Sequence, residues 1–361
     1  MWVTPCTHLS MYFYLRFIPV YYNACFCTQA GFAARSTSIL NYIQEARGVS
    51  WSIGGDEGDH RACATLPNIL RYFNSEVTGA SFGTGGKDSD GAQLNRAVSA
   101  AKSDGIRAQA EDLVAKIKEM PGAMDKWKLV TLWIGGNDLC QQCNNEKFSP
   151  EEYYNRIYET VDYLKGELPR TLVNIPLILD VATLAEATTL VCGAVRLVAC
   201  NCANGDNKEH TRERVKEYQR LVEQFDGSSF NDGDDFAVVT QPFFRGLTLP
   251  RKENGDVDMS FFALDCFHMN TLGHRAFAIS LWNNMITPVT MKSETWDPYS
   301  EVIDCPNEDF PYIFTDRTME RLAAVRQSQG KEGEFNAESD PSSQEQSKTT
   351  PVGGVSDRSL E

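Results

Sequence analysis

Three apolar runs set the frame of this chain. Trp127–Ile134, Leu172–Val181 and Phe236–Val239 are nearly continuous in hydrophobic residues, the pattern of strands buried on both faces of a parallel sheet. Around them, apolar positions recur at helical spacing over Asp104–Met120, Ser149–Leu164, Lys208–Phe225 and Leu272–Met285, and over the shorter Ser36–Gln44 and Leu66–Phe73. Ser149 can cap a helix that opens on Pro150, with Glu151 and Glu152 on the positive end of its dipole. Pro67 marks a helix start in the same way. Val49–Ile53 alternates and predicts a short strand closed by Gly54-Gly55. Phe17–Cys27 is aromatic and β-branched and predicts a strand that Pro19 weakens. Strands alternating with helices predict an α/β fold, a mostly parallel central sheet covered by helices on both faces.

Composition narrows this picture. The 361 residues hold 42% hydrophobic residues, including 19 Phe, 13 Tyr and 6 Trp, enough for one large core. A formal charge of −15 argues against nucleic acid, which needs clustered Lys and Arg, and gives no attraction to anionic membranes. Beyond Tyr312 large apolar residues thin out, and Gln327–Glu361 is rich in Ser, Gln, Glu and Gly. Residues 313–361 are therefore expected to be a disordered tail, and no hydrophobic anchor closes it. Eleven cysteines, several in or beside loops, suggest disulfides and an oxidising compartment, hence an extracellular or secretory-pathway address. The Cys140-x-x-Cys143 pair reads as structural, although redox or zinc chemistry uses the same spacing. The odd total leaves at least one free thiol, expected among Cys6, Cys25, Cys27 and Cys63. No signal peptide, membrane span or glycosylation sequon stands in the sequence.

Two short stretches carry chemistry. Asp265 and His268 stand three apart ahead of the last helix. In a catalytic setting the carboxylate orients the imidazole, which takes a proton from a nucleophile. On spacing alone the pair fits equally a buried His held by a carboxylate. Gly135-Gly136-Asn137-Asp138 follows the first apolar run, at the carboxyl end of a strand where α/β proteins gather functional groups. There the Asn137 amide could donate to a developing oxyanion, or simply make a turn. Gly79-Ala80-Ser81-Phe82-Gly83 matches a nucleophile elbow in letters, but it lacks the strand before and the helix after, and reads as coincidence.

Gly-x-Asn-Asp followed much later by Asp-x-x-His resembles the GDSL, or SGNH, hydrolases, and within them the animal phospholipase B group. The resemblance extends over Arg35–Ile43, Arg47–Asp56, Thr65–Leu70, Trp127–Cys143, Asp235–Phe244 and Asp265–Met285. It implies a three-layer α/β/α sandwich over 29–312 and a serine esterase acting on acyl esters of phospholipids and lysophospholipids, without metal or cofactor. It also allows transient contact with a membrane surface. By the same resemblance His268 is the general base, Asp265 its orienter and Asn137 a side-chain oxyanion donor in the motif that Gly135 begins. Ala100 stands where the family offers a backbone N–H from Gly. The family's Gly-Asp-Ser nucleophile block is missing: its serine position falls on Cys27, within Cys25-Phe26-Cys27-Thr28. Three origins remain open. Residues 1–28 are an atypical segment replacing that block, or the chain is a non-catalytic lipid- or partner-binding homologue, or Cys27 acts as a thiol nucleophile. Esterase action on non-lipid acyl groups is a further reading.

Overall fold

The computed structural model describes residues 20–24, 29–38, 43–141, 143–187, 190–307 and 310–328. Four strands, β1 (Val20–Ala24), β2 (Lys128–Leu132), β3 (Thr171–Pro176) and β4 (Phe236–Gln241), form one parallel sheet in the order β1-β2-β3-β4. Val20 pairs with Lys128, Lys128 with Thr171, and Thr171 with Phe236. The three apolar runs thus supply β2, β3 and β4, and every residue of these strands is buried. Lys128 is the charged member of that set. Its ammonium at the foot of β2 is held by the carbonyls of Met124, Lys126 and Pro169, each at 2.8 Å. Burial lowers its pKa to about 8.

Helices α1 (Leu66–Phe73), α2 (Ile106–Glu119), α3 (Gly136–Gln141), α4 (Pro150–Glu167), α5 (Leu190–Ala199), α6 (Asn207–Val222), α7 (Thr271–Met285) and α8 (Asp316–Ser328) complete the described architecture. α2 packs on α4 and α4 on α6 as one layer, while α1 packs on α7 as another. The result is the α/β/α sandwich. Ser149 caps α4 as expected, accepting from Glu152 N at 3.3 Å. Thr65 caps α1, whose second position is Pro67. Beneath the carboxyl ends of the strands lies an aromatic knot. Trp51 meets Trp133, Phe243, Phe244 and Phe277 edge-on at 5.6 to 6.3 Å, a geometry that favours positive ring edges on negative faces.

Three expectations need correction. Val49–Ile53 is a turn rather than a strand, following a short 3-10 segment at Arg47–Val49. Its alternation was misleading because residues of both parities, Ser50 and Ser52 as well as Trp51 and Ile53, are buried. Ser36–Gln44 shows no helix at Ser36–Ser38 or Ile43–Gln44, and residues 39–42 lie outside the described residues. Order also continues past residue 312: α8 is helical to Ser328, and Leu322 packs with Phe310 and Phe314. The chain divides into one compact unit through Leu322 and a second from Ala323 onward.

Candidate active site

The site is assembled from three connections. The first is the turn after β2. Gly135 has φ +114°, and a Cβ there would lie 2.8 Å from Cε2 of Tyr153. Tyr153 donates its hydroxyl to Ile134 O at 3.0 Å and stacks on Tyr218 at 3.9 Å. Glycine is thus required twice over, by backbone conformation and by close approach. The turn starts α3, which puts Asn137 and Asp138 in the first helical turn.

The second connection is the loop 95–103. Asn137 Nδ2 donates to Ala101 O at 2.9 Å. Asp138 accepts from Ser103 N at 3.0 Å and from Ser103 Oγ at 2.5 Å. Burial of its carboxyl raises the pKa to about 6, against the pull of the Ser103 hydrogen bonds. From the other side Arg47, 1% exposed, grips the same loop, donating to Asn95 O, Asn95 Oδ1 and Ala97 O at 2.9 Å. Ala100 lies between these clamps with φ +62°, a left-handed conformation that disfavours a side chain and that the family's Gly would adopt freely.

The third connection is the loop before α7. His268 Nδ1 lies 2.6 Å from Asp265 Oδ2, and Asp265 Oδ1 accepts from His268 N at 2.9 Å and Phe267 N at 3.0 Å. Burial favours the neutral acid at Asp265, but the His268 hydrogen bond and charge, with the two N–H donors, hold it below the ordinary carboxylate range. Nδ1–H donated to a carboxylate leaves Nε2 as the basic nitrogen, the tautomer a general base needs. The rings of Phe32 and Phe267 stand 4.9 Å from the imidazole. Asn270 then caps α7 by accepting from Leu272 N and Gly273 N. Cys266, inside the Asp265–His268 loop, is disulfide-bonded to Cys192 of α5.

A cavity of about 40 Å³ joins the first and third connections, with Gly136 and His268 both in its wall beside Trp133, Leu184, Leu249 and Phe267. The structure therefore brings Asp265 and His268 into contact, and brings Asn137 and Ala100 onto one latched turn and loop. Cys27, at the serine position, lies outside the described residues. β1 ends at Ala24, level with Leu132 of β2. The Gly79–Gly83 stretch is no elbow: Ser81 is fully buried, its hydroxyl 2.8 Å from Arg47 O. Among the described residues no group of His, Cys, Asp and Glu gathers to hold a metal ion.

Sequence reasoning missed the Arg47 clamp and the Cys192–Cys266 tether. The tether left a signal, a cysteine inside the Asp-x-x-His motif. The Cys140-x-x-Cys143 pair is structural as read, but its members bond outward, Cys140 to Cys200 and Cys143 to Cys202. Cys305 is disulfide-bonded as well, and Cys63 is a free thiol, its pKa raised by burial to about 11. No helix among the described residues is long and apolar enough to cross a membrane.

Residues 40–281 match the family described as GDSL-like Lipase/Acylhydrolase. The chain is 39% identical over 300 residues to "Phospholipase B1, membrane-associated" of Mus musculus, covering 79% of this chain and 20% of that protein. Against the Homo sapiens protein of the same name it is 36% identical over 302 residues, covering 79% and 21%. The chain thus spans about a fifth of the length of the curated relatives it matches. A solved extracellular lipase from Streptomyces rimosus aligns at 12% identity and a TM-score of 0.37, covering 73% of this chain and 98% of that one.

Proposed function

The chain belongs to the GDSL-like lipase/acylhydrolase family, and we propose that its site is built to hydrolyse acyl esters of phospholipids and lysophospholipids. The observation that carries this reading is the Asp265–His268 pair at 2.6 Å, with His268 in the wall of an apolar cavity shared with Gly136. In the proposed reaction, for a hydroxyl supplied at the Cys27 position, His268 Nε2 takes its proton as the oxygen attacks the ester carbonyl and returns that proton to the departing alcohol, while Asp265 stabilises the imidazolium. The Asn137 amide and the Ala100 N–H receive the oxyanion, and the apolar walls take the acyl chain. The names of the relatives support a phospholipid substrate. Leu197 and Val198 on α5, 64% and 84% exposed, together with Leu264 beside Asp265, offer an apolar surface for contact with a lipid aggregate. Disulfides support an extracellular or secretory-pathway setting.

A second reading, a non-catalytic lipid-binding homologue, is favoured by one observation: Cys25-Phe26-Cys27 stands where the family has Gly-Asp-Ser. The two separate by assay of p-nitrophenyl butyrate and lysophosphatidylcholine. A Cys25→Gly/Phe26→Asp/Cys27→Ser variant is expected to turn over both and to label with a fluorophosphonate. Adding His268→Ala should lower its kcat roughly 10³-fold or more. An inactive, unlabelled triple variant of normal stability would sink the hydrolase reading in favour of the second.

A further inference from the structure

Ala100, Ala101 and Lys102 line a second cleft, of about 690 Å³, on the side of α2. It is far larger than the cavity at His268, shares no lining residue with it, and meets the proposed acyl chemistry only at Ala100. Three lysines line it, Lys87, Lys102 and Lys147, with Asp104 and Asp112. Two of the ammonium groups are already engaged. Lys147 Nζ pairs with Asp104 at 2.7 Å, and Lys87 Nζ pairs with Asp88 at 2.8 Å and Asp112 at 3.4 Å. Lys102 is half-buried and different. The Asp104 carboxyl is lowered chiefly by the Lys147 hydrogen bond, and of the cations acting on it Lys102 contributes least.

Lys102 is also the residue next to Ala101, whose carbonyl holds Asn137 Nδ2. The cleft and the candidate oxyanion donors therefore share one short backbone segment. In a lysophospholipid only the glycerol backbone separates the acyl ester from the phosphodiester. An ester carbonyl held at Ala100 stands at the edge of this cleft, two residues along the chain from Lys102. A chain with net charge −15 repels free anions at long range, which favours a phosphate whose own headgroup carries a compensating cation.

We propose that this cleft is the headgroup subsite, and that Lys102 binds the phosphate of a zwitterionic glycerophospholipid and selects it over an uncharged glyceride. The inference rests on the lipid-ester reading above but is tested by binding, independently of turnover. The intact chain is titrated with a short-chain lysophosphatidylcholine and with the monoacylglycerol of the same acyl chain, both kept monomeric, for wild type, Lys102→Met and Lys102→Arg. Wild type is expected to bind the phospholipid roughly ten-fold more tightly, Lys102→Met to lose that preference with its monoacylglycerol affinity unchanged, and Lys102→Arg to keep it. Equal loss of both ligands in Lys102→Met, or no discrimination by wild type, would overturn the assignment. Inorganic phosphate is added as a competitor. Weak competition supports a headgroup site, and full displacement at concentrations equal to the lysolipid's would make it a free-phosphate site instead. A lost preference with ester hydrolysis intact in the serine-bearing variant defeats only the headgroup site. A retained preference without hydrolysis defeats only the hydrolase reading.

Discussion

At Gly135 the backbone takes φ +114°, and the nearest ring atom would sit 2.8 Å from an added Cβ. The close approach is due to Tyr153, whose ring closes over the turn while its hydroxyl bonds Ile134 O. Gly135→Ala is therefore expected to cost about 2–3 kcal/mol, from backbone strain and from displacing a ring stacked on Tyr218. Urea unfolding measures it, and a loss below about 0.5 kcal/mol would contradict the close-approach account. That a glycine belongs here was legible as part of Gly-x-Asn-Asp. Its reason was not, because Tyr153 comes from α4, beyond the helix that follows Gly135. Arg47 is a similar case. Its residue type was plain in the sequence, but a guanidinium needs its several acceptors within reach to be worth burying, and Asn95, Ala97 and Gly85 are brought to it only by the fold.

Among elements, the loop that carries His268 depends on more than its own hydrogen bonds. Ala263 N donates to His268 O at 2.8 Å, and Phe262 bridges Met269, so the loop is nearly a closed hairpin. Cys192–Cys266 then ties it to α5 across 74 residues of sequence. Replacing both cysteines, Cys192→Ala with Cys266→Ala, is expected to lower stability by about 2–4 kcal/mol. It should also speed amide exchange at residues 263–269 ahead of the rest of the molecule. Uniform exchange with unchanged local protection would mean that the disulfide staples the fold without holding the His268 loop. At this scale strands and helix caps were legible, since burial on both faces and N-cap chemistry are written in adjacent residues. The Val49–Ile53 turn was not, because an alternating pattern records polarity and not which side chains find buried partners.

For the molecule as a whole, buried carboxyls contribute to the response of stability to pH with opposite signs. Asp138 is raised by burial from 3.8 to about 6. Between those values the folded state binds the extra proton, so this group's contribution is fullest below the window and declines as pH rises through it. Asp265 is lowered, so its contribution is present above the ordinary carboxylate range and lost as pH falls. Asp138→Asn removes the first term. Its stability relative to wild type should therefore rise between about pH 4 and pH 6 by roughly 1–2 kcal/mol and then level off. Thermal unfolding across that range checks it, and a variant-to-wild-type difference that is flat with pH would refute the charge-burial account.

The sequence by itself determined the sheet strands, most helices, the disulfide-rich character and the positions of Asp265, His268 and Asn137, because each is a local pattern of polarity, capping or motif spacing. Only the tertiary structure decided the rest. It sent Cys140 and Cys143 to Cys200 and Cys202 rather than to each other, and it carried helical order past residue 312. It also latched α3 onto Ala101 and Ser103, and set Lys102 in one cleft with Ala100 and Ala101. These depend on the path of the chain between distant residues, and that path is chosen by packing of the whole core rather than by any one segment.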